Sequence, residues 1–252
     1  MLERNVVCMG FLFLSGILFS ASQEPNKKVD SFNEAKKYLE KVIYADDSLR
    51  RDFYCNCPYD AKKKVFPETC GYIPKKDSKR SHKIEWEHVV PAENLGQAFV
   101  EWREGAPACV DSKGKAFKGR KCAEKVNEQF RTMEADMYNL VPAVGELNQQ
   151  RSNYQYALID GEPREFGKCD FEVEGKKVEP RPEIRGDIAR INFYMASAYP
   201  AVHFLSDKQR KLFEAWMAQD PVDKAECERA NAIEKVQGNK NLVLENTCRS
   251  IK

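Results

Sequence analysis

The stretch IEWEHVVPAENLG, residues 84–96, places Glu87 directly before His88, between a short apolar run and Pro91, in a chain with only three histidines. The run reads as the end of a strand. Adjacent side chains on a strand point to opposite faces, so if both residues serve one site the chain must bend there, and Pro91 fits such a bend. A histidine that activates water has to keep its lone pair for the proton and is not itself a metal ligand. A neighbouring carboxylate can hold a hard cation close by, and a second oxygen ligand must then come from elsewhere. Residues 139–148, NLVPAVGELN, offer one. They read as a β-like run, a turn and a helix start, which places Asn148 in the first turns of a helix.

Outward from these two segments the pattern is mixed. Ser31 and Glu34 form a capping box, and Phe32, Ala35, Leu39, Val42 and Ile43 recur at helical spacing, predicting an amphipathic helix over 32–47. Residues 53–59 read as a cross-linked strand or turn. Residues 62–83 are rich in Lys and read as a surface loop, either a solvated charged face or a phosphate contact. Residues 103–122 read as a loop stapled by two cysteines, and 123–137 as helical. Residues 138–142 are β-like and ended by Pro142, 143–155 form a helix starting near Gly145, and 157–180 form a β-hairpin or meander. Helices are expected over 187–198, from a Ser206 cap to Ala218, and over 222–236 as the last one, ending at Gly238. With no repeat and no obvious linker, the expectation is a single α+β domain, mostly helical, over residues 23–252.

The chain has 252 residues and a formal charge of +2, so a nucleic-acid partner has to be met by local basic patches rather than bulk charge. A nearly unbroken apolar run from Val6 to Phe19 is followed by Ser20, Ala21 and Ser22. It is short for a membrane span, so residues 1–22 are read as a signal peptide, the alternative being an uncleaved anchor. Without it, nine cysteines become eight, an even number that favours a disulfide framework in an exported chain. Eight cysteines allow 105 full pairings, so counting does not give the connectivity. Proximity suggests Cys109–Cys122 and Cys227–Cys248, and Cys55–Cys169 and Cys57–Cys70 are guesses for the rest. The close pair Cys55-x-Cys57 has no second C-x-x-C to make a zinc site.

IEWEHVVPA followed by MYNLVPAVGELNQQRSNY resembles the bacterial endonuclease I family, periplasmic or secreted disulfide-bonded nucleases that cut DNA, and often RNA, without sequence specificity. FYCNC at 53–57, GYIP at 71–74, GRKC at 119–122, RGDIARINFYM at 185–195 and DPVDKAECERANAIEKVQGN at 220–239 extend the resemblance over most of the chain. It implies a ββα-metal, or His-Me finger, catalytic core. His88 would be the general base and Arg120 the phosphate ligand. Glu87 and Asn148 would hold one divalent ion, Mg2+ by preference. Asn139 would fix the turn before the helix or help position His88. Apart from the resemblance, Arg151, Asn153 and Tyr154 read either as nucleic-acid backbone contacts on the exposed side of the helix or as a helix C-terminal arginine and ordinary packing. A monomer cutting to 5′-phosphate and 3′-hydroxyl ends, in the periplasm or outside the cell, is implied. The chain departs from the family pattern at Gly238-Asn239-Lys240-Asn241, where Lys replaces the expected His, so no role of a histidine there carries over.

Other residues weigh toward structure. His82 and His203 read as structural or solvated, Glu85 as ion-paired or a second ligand, and Glu146 as a helix-start carboxylate or a water-mediated ligand. Arg185 and Arg190 read as buried ion pairs or phosphate contacts, and Phe193, Tyr194 and Tyr199 as core. A silent nucleic-acid binder would lack the base or a ligand, yet all four residues are present. A cysteine hydrolase needs a free thiolate, which eight paired cysteines do not leave. A secreted scaffold explains the disulfides but not the two motifs.

Overall fold

The computed structural model describes residues 22–161 and 163–251, so the expected signal peptide over residues 1–22 lies outside them except for Ser22. The elements run α1 (Phe32–Tyr38), β1 (Ile84–His88), α2 (Ala92–Gly96), α3 (Val100–Arg103), α4 (Arg120–Val126), α5 (Glu128–Glu134), β2 (Leu140–Val144), α6 (Gly145–Arg151), β3 (Gln155–Tyr156), β4 (Phe171–Glu174), β5 (Lys177–Pro180), α7 (Arg185–Ala198), α8 (Asp207–Gln219), α9 (Lys224–Gln237) and α10 (Leu242–Ser250). The protein mixes helix and strand, as expected from the sequence, and helices carry the larger share.

β1 and β2 form an antiparallel pair in which His88 faces Leu140, Glu87 faces Val141 and Trp86 faces Pro142. α6 begins at the residue after β2. Pro142 does not end the strand but lies inside it. Its carbonyl accepts the Phe53 amide at 2.8 Å, so its missing donor lies on the edge away from β1, where a strand tolerates proline. The turn leading into β2 is tied to the helices. The Arg229 guanidinium of α9 donates to the carbonyls of Met137 at 2.8 Å and Leu140 at 2.7 Å. Buried Asp136 accepts from Tyr194 and Tyr199 at 2.8 Å each and from Gln237 at 2.9 Å. Phe130, Leu140, Val144, Leu147, Ile188, Tyr194 and Phe213 are fully buried in the core around this pair.

Three expectations are corrected. Ser31 does cap α1, accepting the Glu34 amide at 3.2 Å, but the helix opens after Tyr38 into a π turn over Leu39–Ile43, with the Tyr44 amide on the Leu39 carbonyl. The wider turn keeps Leu39 and Ile43 on one buried face and leaves Val42 49% exposed. The helical stretch after Cys122 breaks at Asn127, whose side chain caps α5 through the Phe130 amide at 2.8 Å. The helix ending at Gly238, which takes a left-handed φ of 85°, is not the last. Asn241 caps α10 through the Val243 amide at 3.1 Å.

Four disulfides join Cys55 to Cys169, Cys57 to Cys70, Cys109 to Cys122 and Cys227 to Cys248. Asp52, Cys55 and Cys57 lie close enough to suggest a metal cluster, but both sulfurs are spent in disulfides. Asp52 itself accepts the Cys55 and Val144 amides at 2.6 and 2.8 Å.

Candidate active site

A cleft of about 310 Å³ opens at the end of the β1–β2 pair, lined by Glu87, His88, Arg120 and Asn148 together with Phe32, Trp86, Glu93, Trp102, Ser152 and Asn153. The bend after the strand, at Val89 and Val90, lets neighbouring residues of β1 share it. Asn139 clamps that bend: its side chain accepts the Val90 amide at 2.7 Å and donates to the Val90 carbonyl at 3.0 Å. The Asn139 side chain thus holds the strand end where His88 stands.

His88 is buried with its ring 4.7 Å from that of Phe32. Its Nε2 lies 2.8 Å from the Glu134 carbonyl oxygen. A carbonyl only accepts, so Nε2 carries the proton and Nδ1 keeps the lone pair. Burial, and the positive charge of Arg120 beside it, push the imidazole down to about 3. The ring is therefore neutral at physiological pH, with the Nδ1 lone pair unprotonated.

Arg120 opens α4 and packs its guanidinium 5.1 Å over the Phe32 ring. It pairs with the Glu134 carboxylate and, at 3.1 Å, with Glu124. Its Nη2 is buried and has no hydrogen-bond partner among the described residues, an arrangement that an incoming anion would complete. Glu134 thereby supports both His88, through its carbonyl, and Arg120, through its carboxylate.

Glu87 is buried, accepts from the Tyr54 hydroxyl at 3.2 Å and lies 3.4 Å from the Arg151 Nε. Burial raises its carboxyl to about 7 despite Arg151. A cation in the cleft would favour the ionised form. Asn148 lies across the cleft and donates to Glu85 Oε2 at 3.3 Å. The pair offers two hard oxygen donors on one cavity, a set that fits a hard divalent ion better than a soft one.

Arg151 is not on an exposed face. It is 1% exposed, stacks 4.6 Å over Tyr156 and donates to the carbonyls of Val89 and Ser152. Its partners are the Glu87 carboxylate and the backbone of the site, so it supports Glu87 from beneath. Asn153 is exposed, lines the cleft and donates to Glu93 at 2.8 Å. Tyr154 packs half-buried against the core. Glu85 forms a two-point ion pair with Arg80, at 2.7 and 2.6 Å, and Glu146 accepts from Tyr72 and from the Lys76 amide. Arg185 pairs with Glu179, and Arg190 with Asp187 and Glu226. His82 pairs with Asp77 at 2.7 Å, His203 is exposed, and Tyr194 and Tyr199 are core.

Sequence reasoning treated Phe32 as scaffold, whereas its ring packs against both the His88 ring and the Arg120 guanidinium. Glu134 was not singled out, because a main-chain carbonyl carries no side-chain signal. Ser152, at φ 52°, is a further cleft residue, held in a conformation that favours glycine.

The model of the Endonuclease I family matches residues 20–248. A periplasmic deoxyribonuclease of Aeromonas hydrophila is 40% identical over 250 residues, covering 97% of this chain and 98% of its own length. An extracellular deoxyribonuclease of the same species is 41% identical over 224 residues, covering 86% and 90%. Endonuclease-1 of Buchnera aphidicola is 35% identical over 254 residues, covering 98% and 93%. A match over nearly the whole chain, in a protein whose His88, Arg120, Glu87 and Asn148 share one cleft, makes this chain a member of the Endonuclease I family and a phosphodiester-hydrolysing nuclease.

Proposed function

We propose that the protein is an exported, sequence-nonspecific endonuclease that cuts DNA, and RNA as well, with His88 as general base and one Mg2+ ion held by Glu87 and Asn148. The observation that carries this reading is the pairing of a neutral, tautomer-fixed imidazole with an unpartnered arginine donor in the same cleft. β1, β2 and α6 then act as a ββα-metal core. His88 Nδ1 takes the proton of the attacking water while Nε2 stays on the Glu134 carbonyl. Arg120 Nη2 binds a non-bridging phosphate oxygen as negative charge grows there, a contact an arginine makes well. Glu87 and Asn148 would hold the ion, which would supply Lewis-acid charge stabilisation at the scissile phosphate. The products are 5′-phosphate and 3′-hydroxyl ends.

Contacts to phosphate carry no base information, which fits a nonspecific activity and supports action on either nucleic acid. Four disulfides suit an oxidising compartment, and the relatives named periplasmic and extracellular agree.

The test is degradation of supercoiled plasmid by the disulfide-bonded protein with Mg2+, with chelator, and with His88→Ala. Cleavage should need the metal and fall by roughly 10²–10⁴-fold in the variant, the usual weight of a general base. Full cleavage by His88→Ala would overturn the assignment of the base.

A further inference from the structure

We propose that the lysine-rich loop before β1 is a second phosphate-binding surface, gripping the nucleic-acid backbone beside the scissile phosphate. The inference rests on the nuclease reading above and deepens it. Lys64 and Lys83 are antiparallel bridge partners, so two like charges are held directly opposite one another, a destabilising arrangement. Both are exposed, and neither has an ion-pair partner among the described residues. Lys62 and Lys79 are likewise exposed on the same concave surface.

The nearby carboxylates do not relieve this. Asp77 is paired with His82 at 2.7 Å. Asp60 spends Oδ1 on the Lys62 and Lys64 amides, both at 2.8 Å. Nor can the loop easily spread to separate the charges. The Val65 amide bonds the His82 carbonyl at 3.0 Å, and the Ile84 amide bonds the Lys63 carbonyl at 2.9 Å. The Cys57–Cys70 disulfide closes the same region. A like-charge pair built into a braced surface is what a polyanion would stabilise.

The surface also connects to the cleft. The Lys83 carbonyl accepts the Gly145 amide at 2.9 Å, where α6 begins. Arg80 bridges Glu85 and Gln149, and Glu85 accepts from Asn148. Lys83 lies four residue steps before Glu87, about 13 Å at ~3.3 Å per residue. At ~3.4 Å of rise per nucleotide along one strand, that is about four nucleotides from the cut.

The test compares wild type with a Lys64→Gln, Lys79→Gln, Lys83→Gln variant on plasmid and on a trinucleotide too short to span both surfaces. On plasmid, KM should rise with kcat unchanged. The slope of log affinity against log salt should become shallower by roughly two to three. On the trinucleotide, kcat/KM should not change. The variant should melt no lower than wild type, because a repulsive pair has been removed, and this excludes misfolding as the cause. An unchanged salt slope and plasmid KM would overturn the proposal, as would an equal loss on the trinucleotide. Failure of wild type to cut plasmid would instead sink the nuclease reading on which it rests.

Discussion

At the scale of single residues, the site depends on groups whose charge is useful only because another side chain supports it. Arg151 is the sharpest case. Its Nε faces Glu87 at 3.4 Å while its other nitrogens reach the carbonyls of Val89 and Ser152. One side chain therefore joins the end of α6 to the Glu87 carboxylate and to the residue after His88. Removing it would leave the Glu87 carboxylate buried without its countercharge, a loss of about 3–5 kcal/mol. For a chain of this size that lowers Tm by roughly 6–20 °C. Arg151→Met should show this drop in a calorimetric melt, and Arg151→Lys should restore little of it, since an ammonium lacks the planar fork that reaches both carbonyls. Adding Glu87→Gln to Arg151→Met should recover part of the loss by removing the stranded charge. An unchanged Tm in Arg151→Met would show that the support lies elsewhere. The sequence does not announce this role. A charged residue near a helix end ordinarily faces water, and only the fold shows that it lies beneath Glu87.

At the scale of elements, the local signals were legible where chemistry is local and failed where a tertiary partner decides. The Ser31, Ser206 and Gly238 helix boundaries follow from caps that bond within their own turn. Pro142 was read as a strand end because proline lacks a donor, yet the Phe53 amide arrives from a distant segment to use its carbonyl. The π turn at Leu39–Ile43 is invisible to a 3.6-residue period. α10 was missed because Gly238 looked final, although Asn241 was present as the next cap. Glu87 and His88, by contrast, stand out as an adjacent pair before Pro91, and Asn148 by its place after the second strand. The 109–122 segment gives the test at this scale. Arg120 is the first residue of α4 and Cys122 lies in the same turn, so the disulfide fixes the helix start that carries the proposed phosphate ligand. Opening a 13-residue separation costs about 3 kcal/mol by chain entropy. The Cys109→Ser, Cys122→Ser variant should lose plasmid cleavage at a temperature where it remains folded, through a misplaced Arg120. Retention of full activity by the folded variant would detach the staple from the site.

At the scale of the whole molecule, the disulfides differ in what they constrain, and that difference can be measured. Cys57–Cys70, Cys109–Cys122 and Cys227–Cys248 close separations of 13, 13 and 21 residues, whereas Cys55–Cys169 closes 114. The long bridge spans β1, β2 and α6, so it encloses every cleft residue but Phe32, and it anchors the segment before β4 beside the Phe53 turn that bonds Pro142. In the chain-entropy account the unfolded-state constraint grows with the logarithm of the loop. The long bridge then contributes about 5 kcal/mol, against about 3 kcal/mol for a 13-residue loop. With roughly 2–4 °C of Tm per kcal/mol at this size, its removal should lower Tm by about 10–20 °C, and removal of Cys57–Cys70 by about 6–12 °C. Both pairs would be replaced by alanine, Cys55→Ala with Cys169→Ala and Cys57→Ala with Cys70→Ala, to keep the comparison like for like. The two variants should differ in Tm far more than in kcat below their melts, because neither bridge touches the cleft. Equal Tm losses would mean that native-state packing around each sulfur pair, rather than loop length, sets the contribution. The order of loss on titration with reductant would then follow exposure instead of span.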